Sequence, residues 1–190
     1  MNKPTVYVIS GKQGSGKSTL AEMLLKHLGS EAKVYKFADI LYELHNMIRN
    51  YMRALGVERP DKDGPLLQLL GTEWGRNTID ENIWPKILYG RVAKDSATIV
   101  LIDDCRFPNE FDMTRETYGT NCVMIRLECP EEIRKARCPA WRPNTEHPSE
   151  TGLDEYSRLG KFDIYYETDK MTAEECMSDL AKQIELRLPK

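Results

Sequence analysis

A chain of 190 residues, 41% hydrophobic and 30% charged, has the composition of a soluble globular domain, and a chain of this size buries roughly 70% of the surface its unfolded form exposes. Its formal charge of −3, from 27 basic and 30 acidic residues, gives no whole-chain reason to expect a nucleic-acid or anionic-membrane binder. The longest apolar runs, 6–9 and 99–102, fall far short of the ~20 residues of a membrane span, so predominant disorder, a fibre and a transmembrane protein are excluded.

In chain order, Met1-Asn2-Lys3-Pro4 leads straight into a strand at 5–9, without the pattern of a secretory leader. A Gly-rich loop follows, then a helix from about Lys17 with Leu20, Met23, Leu24 and Leu28 on one face. Strands are expected at 33–37, 98–102, 122–127 and 163–166, and a long helix through Ile40, Leu44, Met47, Ile48, Met52 and Leu55. Thr172 with Glu175 predicts a capping box and a last helix to about 188. Strands alternating with helices predict an α/β chain built on a parallel sheet of βαβ units. Two stretches, 39–95 and 131–160, are too long for simple crossovers and are read as a helical insert and a lid. The chain is thus one domain, 1–190, with its core in 1–38, 96–130 and 161–190. The cysteines (105, 122, 129, 138, 176) are odd in number and form no CxxC pair, which points to free thiols in a reducing cytoplasm. A zinc site on Cys129, Cys138 and His147 fits no ligand spacing and is rejected.

The strongest motif is Gly11-Lys12-Gln13-Gly14-Ser15-Gly16-Lys17-Ser18, followed by Thr19. Glycines let the backbone curl until consecutive N–H groups, those of Gly14, Ser15 and Gly16 among them, point at phosphate oxygens. The helix beginning there adds its positive end. Lys17 reaches the outer phosphates, and the Ser18 hydroxyl is placed to ligate Mg²⁺. The pattern predicts binding of a nucleoside triphosphate. A metal-side carboxylate is expected at the end of another strand, and Asp103 and Asp104 both follow the apolar run 99–102. A GTPase is set aside: Asp61-Lys62-Asp63-Gly64 satisfies DxxG but lies in a polar loop, and no Asn-Lys-x-Asp occurs.

Phosphoryl transfer is mostly positioning and charge neutralisation, so arginines should gather round the site. Segment 134–142 holds Arg134, Lys135, Arg137 and Arg142 and no acid, as expected of a lid closing on ATP. Arg76, beside Trp74, and Arg106, just after the Asp pair, are candidates for an acceptor phosphate.

GKQGSGKST at 11–19, FAD at 37–39, LLQLLGTEWGR at 66–76, DCRFPNE at 104–110 and HPSE at 147–150 occur together and in order. In these motifs the chain resembles the deoxynucleoside monophosphate kinases of tailed bacteriophages, within the P-loop nucleoside monophosphate kinases. The likeness implies a three-layer α/β/α P-loop kinase fold with a central five-stranded parallel sheet, a helical nucleotide-binding insert and a lid. It also implies a cytosolic enzyme using ATP and Mg²⁺ to convert a dNMP to a dNDP for DNA synthesis, and a homodimer would be in keeping with it. Asp104, which opens the DxRFPNE motif, is favoured over Asp103 on this ground. In that reading Lys17, Asp104, Arg106 and Arg137 are catalytic, and Ser18 and Asp104 serve the metal. Residues 11–19 with Arg134 and Arg142 hold ATP, and Trp74, Arg76 and Arg106 hold the acceptor under the insert. The alternatives are a kinase for another phosphorylated metabolite such as phosphomevalonate, and an ATP-binding module without transfer activity.

Overall fold

The computed structural model describes residues 3–138, 141 and 147–186, and the chain divides into two compact units, 36–95 and the remainder. In the larger unit the expected sheet forms. Its strands are β1 (Thr5–Gly11), β2 (Ala32–Tyr35), β3 (Ile99–Cys105), β4 (Cys122–Glu128) and β5 (Ile164–Glu167). They are parallel throughout, in the order β2-β3-β1-β4-β5. β1 is central because it is apolar and buried from Val6 onward, as a strand covered on both faces must be.

Alternation along the strands sends Tyr7, Ile9, Leu101, Val123 and Ile125 to one face. There they meet Leu20 and Leu24 of α1 (Lys17–Leu28) and Leu180 and Ile184 of α9 (Ala173–Glu185). Val6, Val8, Ile102 and Met124 are equally buried but lie outside that cluster, so the second face is covered too. α5 (Pro108–Tyr118) follows β3, and its Phe111 stacks edge-on against Phe162 and Tyr156, at 5.0 Å each. α9 starts at the expected capping box: Thr172 Oγ1 accepts from Glu175 N at 3.2 Å, and Thr172 N donates to Glu175 Oε2 at 2.8 Å. Three short helices complete this unit, α6 (Glu131–Arg137), α7 (Pro148–Thr151) and α8 (Asp154–Arg158).

Every strand differs from expectation by one to three residues at one end or both, and two of these differences have a visible cause. β2 stops at Tyr35, because Phe37 is committed elsewhere: it is 3% exposed and packs edge-on to Tyr89 at 6.2 Å. β3 runs three residues past Ile102. Its register with β1 slips from Val8↔Ile102 to Ser10↔Cys105, so one extra residue of β3 is accommodated in a bulge. Ser10 Oγ donates to Cys105 O at 3.0 Å and closes it. The Asp pair therefore sits inside a bulged strand, not in a turn beyond it.

The smaller unit holds α2 (Asp39–Ala54), α3 (Gly64–Gln68), an 11-residue π-helix (Leu69–Ile79) and α4 (Ile83–Val92). Asp63, part of the DxxG match, is the N-cap of α3 and accepts from Leu66 N at 3.2 Å. Buried His45 accepts from Asp63 N at 3.2 Å, which fixes the end of that loop. Among the described residues no helix is long and apolar enough to cross a membrane.

The five thiols are free, and burial separates them into two classes. Burial, then the nearby Glu110, pushes Cys105 well above the usual thiol range, and burial pushes Cys122 up to about 12. Cys129 and Cys138 are only half-buried. An aromatic disulfide reagent at neutral pH should therefore label Cys129 and Cys138 in the native protein and reach Cys105 and Cys122 only after unfolding. Rapid native labelling of Cys105 would contradict the packing.

Candidate active site

β1 ends at Gly11, at the carboxyl edge of the sheet where α/β folds take ligands. The loop turns through Ser15 N donating to Lys12 O at 3.2 Å, with Gly14 at φ +79° and Gly16, the N-cap of α1, at φ +94°. Both angles favour glycine, and a Cβ on Gly14 would stand 2.6 Å from Arg134 O. The first turn of α1 carries no acid to offset its positive end, and Ser18 and Thr19 are exposed there. Lys17 is 7% exposed and its Nζ donates to Lys12 O at 2.8 Å. Burial, reinforced by the Arg106 guanidinium, holds its ammonium well below the usual lysine range; Glu150 and Asp103 pull the other way.

That set of neighbours sorts the Asp pair. Asp103 is 3% exposed and acts on Lys17, whereas Asp104 is half-buried and raises the Cys105 thiol. Arg106 lies just beyond: its Nη1 donates to Glu150 Oε1 at 2.6 Å and to Ser149 O at 3.2 Å, while Glu110 Oε2 accepts from its backbone N at 2.8 Å. Arg126 of β4, which sequence reasoning passed over, is 3% exposed. It donates to Asp154 at 3.1 Å and Glu128 at 2.8 Å, and Asp154 also pairs with Lys12 of the loop at 2.7 Å.

The arginines expected in the lid take separate places. Arg134 is buried as a brace on the loop. Its Nη1 donates to Gln13 O and its Nε to Cys129 O, both at 3.0 Å, and its guanidinium lies 5.2 Å from the Trp141 ring. A side chain so tied is not an arm that swings over phosphates, and this departs from the lid expectation. Arg137 is exposed and donates to Thr168 O at 2.9 Å. It lines a cavity of about 250 Å³ with Gly16, Thr19, Leu127, Met171 and Thr172. The 168–173 segment of that wall carried no motif; the only signal for it was the Thr172 cap. Arg142 lies outside the described residues. His147 caps α7, its Nδ1 accepting from Ser149 N at 3.2 Å.

In the smaller unit, Trp74 and Arg76 sit on the π-helix, a conformation frequent at functional sites. Trp74 is 44% exposed, so core packing does not explain it; Trp84, 2% exposed and donating to Gly71 O at 2.9 Å, fills the core instead. Arg76 Nη1 donates to the same Gly71 O at 3.3 Å.

The residues fit Mg²⁺ arriving with a nucleotide. One hydroxyl, such as that of exposed Ser18, and one carboxylate, such as Asp103, which acts on the adjacent Lys17, with phosphate oxygens and water, make the usual donor set for this ion. Among the described residues no group of three or more His, Cys, Asp or Glu side chains forms a dedicated cage.

A family model described as Zeta toxin matches residues 1–87. The deoxynucleoside-5'-monophosphate kinase of Escherichia phage T5 is 36% identical over 88 residues, which is 46% of this chain and 33% of that one. The likeness seen in the motifs is thus met by a relative of that description, though this chain spans only a third of its length. The phosphomevalonate kinase of Drosophila melanogaster is 24% identical over 186 residues, 96% of this chain and 97% of the relative. Among solved structures, the Mycobacterium tuberculosis APS kinase in complex with AMPPNP and APS superposes with a TM-score of 0.55 at 14% identity, covering 97% of this chain and 99% of that one. With its five parallel strands and flanking helices, the chain has the P-loop kinase fold.

Proposed function

We propose that this chain is an ATP-dependent phosphotransferase acting on a deoxynucleoside monophosphate, giving the diphosphate and ADP. One observation carries the reading: Lys17, buried at the head of α1 beside the loop, shares its field with Arg106 and Asp103. A lysine buried beside a phosphate-binding loop, with an arginine in its field, suits the charge neutralisation on which phosphoryl transfer depends. Loop N–H groups and Lys17 take the ATP phosphates, and Arg106 the acceptor phosphate. The nucleoside of ATP is proposed to lie in the cavity bounded by Gly16, Thr19, Arg137 and Thr172, whose lining is mostly apolar and suits a planar base. Mg²⁺, when bound, neutralises charge on the outer phosphates; Ser18 with Asp103, the carboxylate that acts on Lys17, is the proposed holder, and Asp104 is the alternative. In the smaller unit, Trp74 and Arg76 on the π-helix are proposed as nucleotide-contacting residues. The acceptor is already an anion, so no strong general base is needed. The proposed partners are small-molecule substrates, and the proposed compartment is the cytoplasm.

The phage relative favours a deoxynucleotide acceptor. The phosphomevalonate kinase is favoured by its match along almost the whole chain. Both names describe acceptors that already bear phosphate, and a panel separates them. ADP release is measured with each dNMP, each NMP and phosphomevalonate. Turnover on dNMPs supports the proposal, turnover on phosphomevalonate alone replaces it, and ATP binding with no turnover leaves a binding module.

A further inference from the structure

The HPSE motif has no part in the mechanism above, yet its glutamate touches two of the groups that mechanism uses. Glu150 Oε2 accepts from the loop amide Gln13 N at 2.7 Å, and Oε1 accepts from Arg106 Nη1 at 2.6 Å. Its side chain is 14% exposed, and its charge acts on Lys17. A loop N–H, an arginine and a buried lysine are the surroundings of a phosphoryl group in this kind of site. Four residues on, Asp154 repeats the pattern, binding Lys12 of the loop at 2.7 Å and Arg126 at 3.1 Å. Segment 147–158 is thus fastened to the phosphate-binding loop by two carboxylates.

We propose that Glu150 is an internal phosphate surrogate: its carboxylate occupies donors that substrate phosphates need, and must be displaced from Gln13 N and Arg106 for them to bind. The inference rests on the phosphate-binding role proposed for the loop. A carboxylate carries one charge and two oxygens; a phosphate dianion carries more of both, so it competes successfully for the same donors. Binding then releases α7, with Asp154 as the anchor about which the segment moves. The competition lowers apparent phosphate affinity by the fraction of molecules in which Glu150 is seated. It also keeps Arg106 neutralised until a phosphorylated ligand arrives, so that the loop's positive field does not attract every passing anion.

The test uses the full chain and inorganic tripolyphosphate, a ligand with no base or sugar. Glu150→Gln keeps the size and an oxygen for Gln13 N but removes the charge. Titration calorimetry should show about tenfold tighter tripolyphosphate binding than wild type, the scale of one charge-assisted hydrogen bond released from competition. Unchanged or weaker binding overturns the proposal. Hydrogen exchange on the wild-type protein gives an independent reading should the variant fold poorly. Tripolyphosphate should protect amides in 12–19 and speed exchange in 147–152, and protection of both overturns the surrogate role. Lys17→Met separates the two claims. If wild-type tripolyphosphate binding does not depend on Lys17, the loop's role itself fails. If it does and Glu150→Gln binds no tighter, only the surrogate fails.

Discussion

Lys17→Met is expected to reduce phosphoryl transfer by about a thousandfold, on the scale of removing a principal electrostatic contact to the transferring group. The methionine keeps the stem that fills a site only 7% exposed, so packing survives. Two stability effects oppose each other. The hydrogen bond to Lys12 O is lost, worth about 1 kcal/mol. Against that, a buried charge disappears. Because burial holds the folded Lys17 well below its unfolded value, the unfolded chain binds the extra proton more readily, and stability tied to this group rises with pH through the window between the two. Relative to wild type, the variant should therefore gain melting temperature as pH falls through that window and lose the advantage as pH rises to the unfolded lysine's range. Near-normal turnover would remove Lys17 from the chemistry. Collapse of the fold would show that the residue is structural.

Gly14→Ala is expected to cost roughly 2–4 kcal/mol in unfolding free energy, the sum of left-handed strain and a forced contact. The added Cβ meets Arg134 O at 2.6 Å. That carbonyl cannot easily retreat, since the Arg134 side chain holds Gln13 O and Cys129 O and is itself buried. The loop must give way instead, so its inward N–H groups lose their aim and ATP binding should fall at least about a hundredfold, the loss of two charge-assisted hydrogen bonds. Gly16→Ala is the control. It has the same sign of φ, but a Cβ there meets nothing within 4 Å, so it should lose only the strain, about 1–2 kcal/mol. Equal destabilisation by the two substitutions, measured in urea, would show that the Arg134 contact is not what confines the loop.

The legible parts of the molecule were those where one residue type has one physical use. The phosphate-binding loop needs glycines, a lysine and a hydroxyl at fixed spacing, and the structure bends where those residues require. The central strands announced themselves as apolar runs, the outer ones only as short β-rich stretches, and Thr172 with Glu175 as a cap. What escaped depends on contacts distant in the chain. Asp104 is favoured in the sequence for opening the DxRFPNE motif, but a motif does not show which of two adjacent carboxylates acts on Lys17, and in the fold Asp103 is the one that does. Arg134 looked like a lid arm because its neighbours are basic; its partner carbonyl is 121 residues away at Gln13. Glu150 reads as one polar residue among several, and its meaning appears only when Gln13 N and Arg106 are brought to it. Nor does sequence periodicity distinguish Trp74 from Trp84, although one is exposed and the other holds the core of its unit.

The central claim is that the γ-phosphoryl group of ATP passes to a nucleoside monophosphate, and phosphorus NMR follows that group directly. With ATP, Mg²⁺ and the four dNMPs in one tube, the γ resonance should decline as β resonances of ADP and of a deoxynucleoside diphosphate grow in equal amounts. The exchange should need the dNMP and vanish in Lys17→Met. Loss of the γ signal to inorganic phosphate alone, at the same rate with and without dNMP, would contradict the account.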